Sequence, residues 1–104
     1  MELPISHEAD LVKPAVLLTI IGETVLKDAI LKLLKSYNVN DYTITQVQGE
    51  GSQGKRMGDM VGYNTNIEIK TILSLEVSND ILRSIKDYQG KQAVIAFRSY
   101  VETL

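Results

Sequence analysis

The order of periodic segments in this chain predicts an α+β domain with a four-stranded sheet and two helices. Two apolar stripes have the three- and four-residue spacing of amphipathic helices. Four other stretches either are rich in β-branched residues or alternate between apolar and polar side chains, as strands do. A glycine-rich stretch without an apolar period separates the second strand from the third, which predicts a long loop there.

The first half of the chain predicts a strand, a helix and a second strand. Residues 15–21 are apolar at nearly every position and are followed by Gly22, as in a strand that is buried on both faces. Residues 23–37 carry an apolar stripe that begins at Val25, with Leu31 alone off the stripe. After a turn-like segment, the β-forming side chains of residues 42–47 predict the second strand.

The second half predicts a strand, a helix and a final strand. Residues 67–77 alternate between apolar and mostly polar side chains, which predicts a long third strand. Ser78 is the expected N-cap of the second helix, and Gly90 is expected to end it. Residues 93–101 are expected to form the fourth strand, on which Arg98 would face a subunit boundary or pair with Glu102.

A βαββαβ order with right-handed crossovers gives a ferredoxin-like sandwich, in which both helices cover the same face of the sheet. The opposite face is expected to be partly apolar, since Ile72 lies on the otherwise polar side of the third strand. An apolar sheet face left in water promotes aggregation. We therefore expect a partner to cover this face, most simply further copies of the same chain.

Composition restricts the size and the location of the protein. The chain has 104 residues, of which 44% are hydrophobic and 23% charged, which suits one small domain with one core. We expect residues 1–12 to form a polar N-terminal tail and residues 13–104 to form the domain. No apolar run approaches the roughly 18 residues of a membrane span and no signal peptide is evident, so we expect a cytoplasmic protein.

Composition also excludes several kinds of chemistry. The chain has no cysteine and a single histidine, which excludes a thiolate nucleophile and a Cys- or His-rich metal site, and we expect no metal to be required. A formal net charge of −2 argues against a general nucleic-acid binder. No motif combines a nucleophile with a base or pairs two carboxylates, so we do not expect an enzyme.

The loop predicted between residues 48 and 66 contains five of the seven glycines. The segment GEGSQGKR at residues 49–56 imitates both a dinucleotide fingerprint and a phosphate-binding P-loop, but Gly58 and Gly62 forbid the helix that either motif requires. Glycines still allow backbone N–H groups to approach an anion, and Lys55 and Arg56 add two positive charges. These residues therefore fit either a phosphate site or a flexible hairpin tip with solvated cations.

The segment YTITQVQGEGSQGK at residues 42–55 resembles the second strand and the T-loop entrance of PII signalling proteins. Gly90-Lys91 resembles their second phosphate-contacting turn, and the similarity spans residues 14–101. It is strongest to the SbtB and carboxysome-associated PII-like regulators of inorganic-carbon uptake. The resemblance implies a homotrimer that binds adenine nucleotides in the clefts between subunits. It also implies that the T-loop docks onto a membrane transporter, for bicarbonate, which would bring the protein to the membrane surface.

The resemblance also implies a set of nucleotide-binding residues. Thr43 would meet the adenine, Arg56 would close on the phosphates, and Gly90 with Lys91 would hold the phosphates from the other wall. The complete set is Thr43, Gly51, Ser52, Gln53, Lys55, Arg56, Gly90 and Lys91. The basic residues that nitrogen-type members carry after the fourth strand are missing, so we expect AMP, cyclic AMP or ADP to bind better than ATP. A nitrogen-regulatory PII protein and a trimeric CutA-like metal-binding protein are the alternatives.

Overall fold

The computed structural model describes residues 11–47 and 65–104, and within them the predicted βαββαβ order is confirmed. A 3₁₀ helix at Thr24–Leu26 connects the first strand to the first helix. The strands and helices are β1 (Lys13–Glu23), α1 (Lys27–Ser36), β2 (Thr43–Val47), β3 (Asn66–Leu73), α2 (Leu75–Gln89) and β4 (Val94–Thr103).

The four strands form one antiparallel sheet with the order β2-β3-β1-β4. Strands β1 and β3 are central, and β2 and β4 are the two edges. The register places Ile20 of β1 between Ile69 of β3 and Ala96 of β4. This is the α+β ferredoxin-like arrangement that the sequence predicts.

Both helices pack on one face of the sheet and form a single core with it. Leu18, Ile20 and Ile69 on this face are completely buried, as are Leu34 of α1 and Ile81 of α2. Burial of a Leu or Ile side chain contributes about 1.5–3 kcal/mol, so each of these side chains stabilises the fold substantially.

The start of the first helical segment differs from the prediction. Val25 is 78% exposed, because the chain first forms a 3₁₀ turn, whose three residues per turn rotate this side chain away from the apolar stripe. Leu31, expected to lie off the stripe, packs against the core. At the other end of α1, Asn38 adopts a left-handed conformation with φ 63°, and the backbone N–H of Val39 donates to Leu34 O at 3.0 Å. This closure ends the helix.

The boundary between β3 and α2 also corrects the prediction. The strand ends at Leu73 instead of residue 77, and Ser74 is the N-cap, its Oγ accepting a hydrogen bond from Val77 N at 3.2 Å. Ser78, the expected cap, is buried inside the helix and donates to Leu75 O at 2.8 Å. The alternation of β3 continues through Val77, but Val77 also begins the helical spacing that leads to Ile81, so the pattern is ambiguous at this point.

Arg98 joins β4 to the beginning of α2. Its Nη1 donates to Ser78 Oγ at 2.9 Å and to Asn79 Oδ1 at 2.6 Å. Arg98 is the register partner of the buried Leu18, so its side chain lies on the helix side of the sheet. The pairing with Glu102, one of the two alternatives for Arg98, is therefore replaced by contacts that hold α2 against the sheet.

In the described part of the chain, no helix has the length and apolar character that a membrane crossing requires.

Candidate functional site

The sheet face opposite the helices carries exposed apolar side chains, as the sequence predicts. Ile72 is 52% exposed, Phe97 49% and Ile95 42%. Leu17 and Ile21 of β1 lie on the same face and are half-buried. We call these five residues the open-face patch.

A concave surface of about 690 Å³ lies beside this patch, where β2 begins and β3 approaches its end. Thr43 of β2 and Lys70 of β3 are direct register partners, and both line the cavity. The remaining lining residues are Leu17, Asn40, Asp41, Tyr42, Thr71 and Ile72. The cavity therefore combines an apolar surface with hydroxyl groups, one cationic residue, Lys70, and one acidic residue, Asp41.

Two interactions shape the walls of this cavity. Thr71 Oγ1 donates to Asp41 O at 2.7 Å, which fastens the segment before β2 to β3. Lys70 Nζ lies 3.6 Å from Glu68 Oε1, and the two side chains are on the same face of β3 because they are two residues apart in a strand. Thr71 is buried, so the first of these interactions is protected from water.

The two ends of the predicted loop are held in the sheet. Val47 and Asn66 are register partners, so Asn66, expected to be the last loop residue, is the first residue of β3. The backbone N–H and Oγ1 of Thr24 both donate to Thr65 O, at 3.2 and 3.1 Å. Asn66 is only 3% exposed, and its Oδ1 has no hydrogen-bond partner within residues 11–47 and 65–104. The base of the loop is thus clamped to the end of β1.

Gly90 and Lys91 lie in the turn between α2 and β4, and both are exposed. The N–H of Lys91 donates to Tyr88 O at 2.9 Å, and Gln89 Nε2 donates to Val94 O at 3.1 Å, so the turn is held at both sides. Gly90 has an ordinary right-handed conformation, with φ −72°, and a Cβ added there would meet nothing closer than Asp87 O at 3.9 Å. Within the described part of this subunit nothing requires a glycine at this position.

The three predicted site residues that the structure describes do not lie together within one chain. Thr43 lies on the β2 edge of the sheet, whereas Gly90 and Lys91 lead into β4 at the other edge. Three strand spacings separate the edges, which amounts to about 14 Å. The other predicted residues, Gly51, Ser52, Gln53, Lys55 and Arg56, lie outside the described residues.

Lys70 is the residue of this site that the sequence did not single out. Strand alternation alone places Lys70 on the same face as Glu68. Its position opposite Thr43 depends on the register between β2 and β3, and the number of loop residues between these strands leaves that register open.

Among the described residues, no group of three or more His, Asp or Glu side chains is arranged so that it could hold a metal ion.

Residues 15–103 match the family model described as Nitrogen regulatory protein P-II. A PII-like signalling protein from Thermus thermophilus is 32% identical, with a TM-score of 0.74, over 89% of this chain and 91% of that chain. CPII from Thiomonas intermedia K12, a nitrogen regulatory PII-like protein, was solved bound to ADP, AMP and bicarbonate. It is 22% identical, with a TM-score of 0.75, over 89% of this chain and 96% of that chain, and it shares the fold. A comparison with curated proteins found no match.

Proposed function

The chain belongs to the family of nitrogen regulatory protein P-II, whose members are signalling proteins, and on this premise we propose the signal and the target. The protein senses adenine nucleotides in the clefts between the subunits of a homotrimer. AMP, cyclic AMP and ADP are its preferred effectors over ATP. Through the loop between β2 and β3 it regulates a membrane transporter for bicarbonate, as the resemblance to SbtB-type regulators suggests.

The observation that carries this proposal is the division of the candidate site between the two edges of the sheet. Thr43 and Lys91 lie at opposite edges of the sheet with β3 and β1 between them, and Lys91 does not line the cavity that contains Thr43. A cleft between two subunits can combine the β2 edge of one copy with the β4 edge of the next. The division thus supports a site between subunits.

The open-face patch supports the association of subunits. A subunit that exposes Ile72, Ile95 and Phe97 on a flat sheet face gains free energy when further copies cover these side chains. Closed symmetric assembly is the common way in which identical chains cover such a face.

The chemistry of the cavity is compatible with a nucleotide. Leu17, Ile72 and Tyr42 provide apolar contact for a planar base, and the Thr43 hydroxyl can both donate and accept a hydrogen bond. CPII was solved with ADP and AMP, which supports adenine nucleotides as the ligand class. Lys91 and Arg56 would supply the charge for the phosphates. Two or three cations suit one or two phosphate groups better than a triphosphate.

The loop is the proposed output because both of its ends are fixed in the sheet and five of its residues are glycines. Thr24 holds the base of the loop through its hydrogen bonds to Thr65 O. A nucleotide bound at this base would therefore change the conformation of the loop while the ends of the loop stay in place. Ordering a glycine-rich segment costs much conformational entropy. A ligand that favours the docking shape by about 2.7 kcal/mol changes the ratio of loop shapes roughly 100-fold, which suffices for a switch.

The nucleotide proposal is tested by light scattering together with calorimetry using AMP. We expect a trimer that binds AMP, and about 10- to 100-fold weaker binding in Arg56→Ala, because a charge-assisted contact contributes roughly 1.5–3 kcal/mol. Gly90→Ala is a second probe, because an alanine fits within the subunit and any loss of affinity then reports close approach by the ligand or a neighbouring subunit. Lys86→Ala, on the exposed side of α2, is the control. A monomer of 11.6 kDa that binds no nucleotide would overturn the proposal.

The output is tested by deleting residues 53–62. The trimer should fold and bind no transporter, whereas the full chain captures a transporter from solubilised membranes of its own cell in a nucleotide-dependent manner. Capture by the deletion variant at the same level would show that the loop is not the docking element. Capture of an ammonium transporter or a nitrogen enzyme would favour the nitrogen-regulatory alternative, which the description of the matching family supports.

A further inference from the structure

We propose that Lys70 recognises the purine base, its ammonium group donating a hydrogen bond to a ring nitrogen of the adenine. This inference rests on the proposed function, because it assigns a residue to the nucleotide site. It concerns a position that the resemblance to PII proteins did not include.

The position of Lys70 is defined by the sheet. Lys70 is the direct register partner of Thr43, on the same face, so the two side chains stand about 4.5–5.5 Å apart at their Cβ atoms. Both line the same cavity. The Lys70 side chain is 47% exposed, so its ammonium group can reach a ligand in the cavity while it lies 3.6 Å from Glu68 Oε1.

The distance along β2 separates the base end of the site from the phosphate end. From Thr43 to Val47, where the strand ends and the loop begins, four residues cover about 13 Å. We place the phosphates toward the Val47 end and the base near the Thr43 end, where Leu17 and Ile72 offer apolar contact that suits a base and not a phosphate.

The chemistry of a lysine ammonium restricts what it can recognise there. An ammonium group has three donors and no acceptor, so on a neutral adenine it can bond only to a ring nitrogen. Glu68 Oε1 lies 3.6 Å from Lys70 Nζ and biases the long side chain toward one orientation. An isolated exposed ion pair contributes little to stability, so a Lys70 variant that loses this pair should keep nearly the same free energy of unfolding.

The test combines atomic changes in the ligand with a change in the protein. Affinities are measured by calorimetry for AMP and for three analogues in which carbon replaces N1, N3 or N7 of the base. In the wild-type protein we expect one analogue to bind about 10-fold more weakly than AMP, because one charge-assisted hydrogen bond is lost. Lys70→Met keeps the apolar stem of the side chain, and in this variant the affinity for AMP itself should fall about 10-fold. The difference in affinity between AMP and that analogue should then be less than about 2-fold.

Two controls keep the outcomes distinct. Lys86→Met removes an exposed lysine from α2 and should leave the affinities unchanged. If circular dichroism shows that Lys70→Met does not fold, Lys70→Gln is measured in its place. If AMP and all three analogues bind the wild-type protein equally well, the proposed role of Lys70 is wrong while the nucleotide site stands. The same conclusion follows if one analogue still binds about 10-fold more weakly than AMP in Lys70→Met. If the wild-type protein binds none of these nucleotides, the proposed function itself fails.

Discussion

The two faces of the sheet are both apolar, yet within residues 11–47 and 65–104 the helices cover only one of them. On β1, Leu18 and Ile20 are fully buried under the helices, whereas Leu17 and Ile21, which alternate with them, remain half-buried on the other face. On β4, Phe97 of the open face is 49% exposed. The difference shows that the apolar content of a strand does not determine how far each side chain is buried. It depends on which face the two crossover helices occupy.

The largest contrast between the faces is expected for Ile69→Ala against Ile72→Ala, two substitutions on the same strand. Ile69 is completely buried under the helices, so its truncation should lower the free energy of unfolding by about 2–5 kcal/mol. Ile72→Ala should cost less than about 1 kcal/mol in dilute protein, because the side chain is 52% exposed in the subunit. Urea unfolding at several protein concentrations measures both.

The concentration dependence sharpens this contrast. If copies of the chain cover the open face, the cost of Ile72→Ala grows as the protein concentration rises, because assembly buries the side chain. Equal costs for the two substitutions at low concentration would contradict the distinction between the faces.

Phe97→Asp should break the assembly and leave the subunit folded. A charge replaces a large apolar side chain on the open-face patch, and because Phe97 is 49% exposed before assembly, the loss of its further burial alone weakens each contact between subunits by up to about 1.5 kcal/mol. Light scattering should show a lower molar mass with an unchanged far-ultraviolet circular dichroism spectrum. Tyr100→Asp is the matched control on the helix side of β4, where the tyrosine is 73% exposed. Dissociation by the control but not by Phe97→Asp would place the interface on the wrong face.

Arg98→Met tests whether Arg98 holds α2 against the covered face of the sheet. The arginine donates to Ser78 Oγ and Asn79 Oδ1, and their loss should cost about 1–2 kcal/mol of unfolding free energy. Arg83→Met, which removes an exposed pair with Asp80 on the same helix, should cost at most about 0.5 kcal/mol. Thermal unfolding of both variants measures the difference, and equal shifts would deny Arg98 a role in holding α2.

Ser74→Ala is the prediction with the smallest expected effect. It should lower the free energy of unfolding by about 1 kcal/mol, because it removes the N-cap of α2. Ser84→Ala, in the interior of the same helix, should be close to neutral, since alanine favours helix and the Ser84 hydroxyl only bonds back to Asp80 O. Urea unfolding distinguishes the two. A larger loss of unfolding free energy in Ser78→Ala would not show that Ser78 is the cap, because that side chain is buried and accepts a hydrogen bond from Arg98.

The sequence predicted the order of the elements because their hydrophobic periods are long and distinct. It was wrong where two periods overlap. Leu75 and Val77 continue the alternation of β3, and Val77 also begins the apolar stripe of α2 with Ile81. The helix begins at this point because Ser74 caps it and because its stripe then packs on the sheet.

The candidate site could be predicted only in part. Thr43, Gly90 and Lys91 were named from resemblance, and their places at the two edges of the sheet required the strand order. Lys70 was missed because its proximity to Thr43 arises from pairing between strands that a long loop separates, and neither strand encodes that register by itself.

The amino-acid sequence by itself determined the βαββαβ order, the apolar character of both sheet faces and the glycine-rich connection, since these depend on local composition and period. Only the tertiary structure decided which face the helices cover, where α2 begins, which partners Arg98 takes and which cation lies opposite Thr43. The physical reason is that these features depend on contacts between residues far apart in the chain, whose free energy appears only when the sheet is assembled.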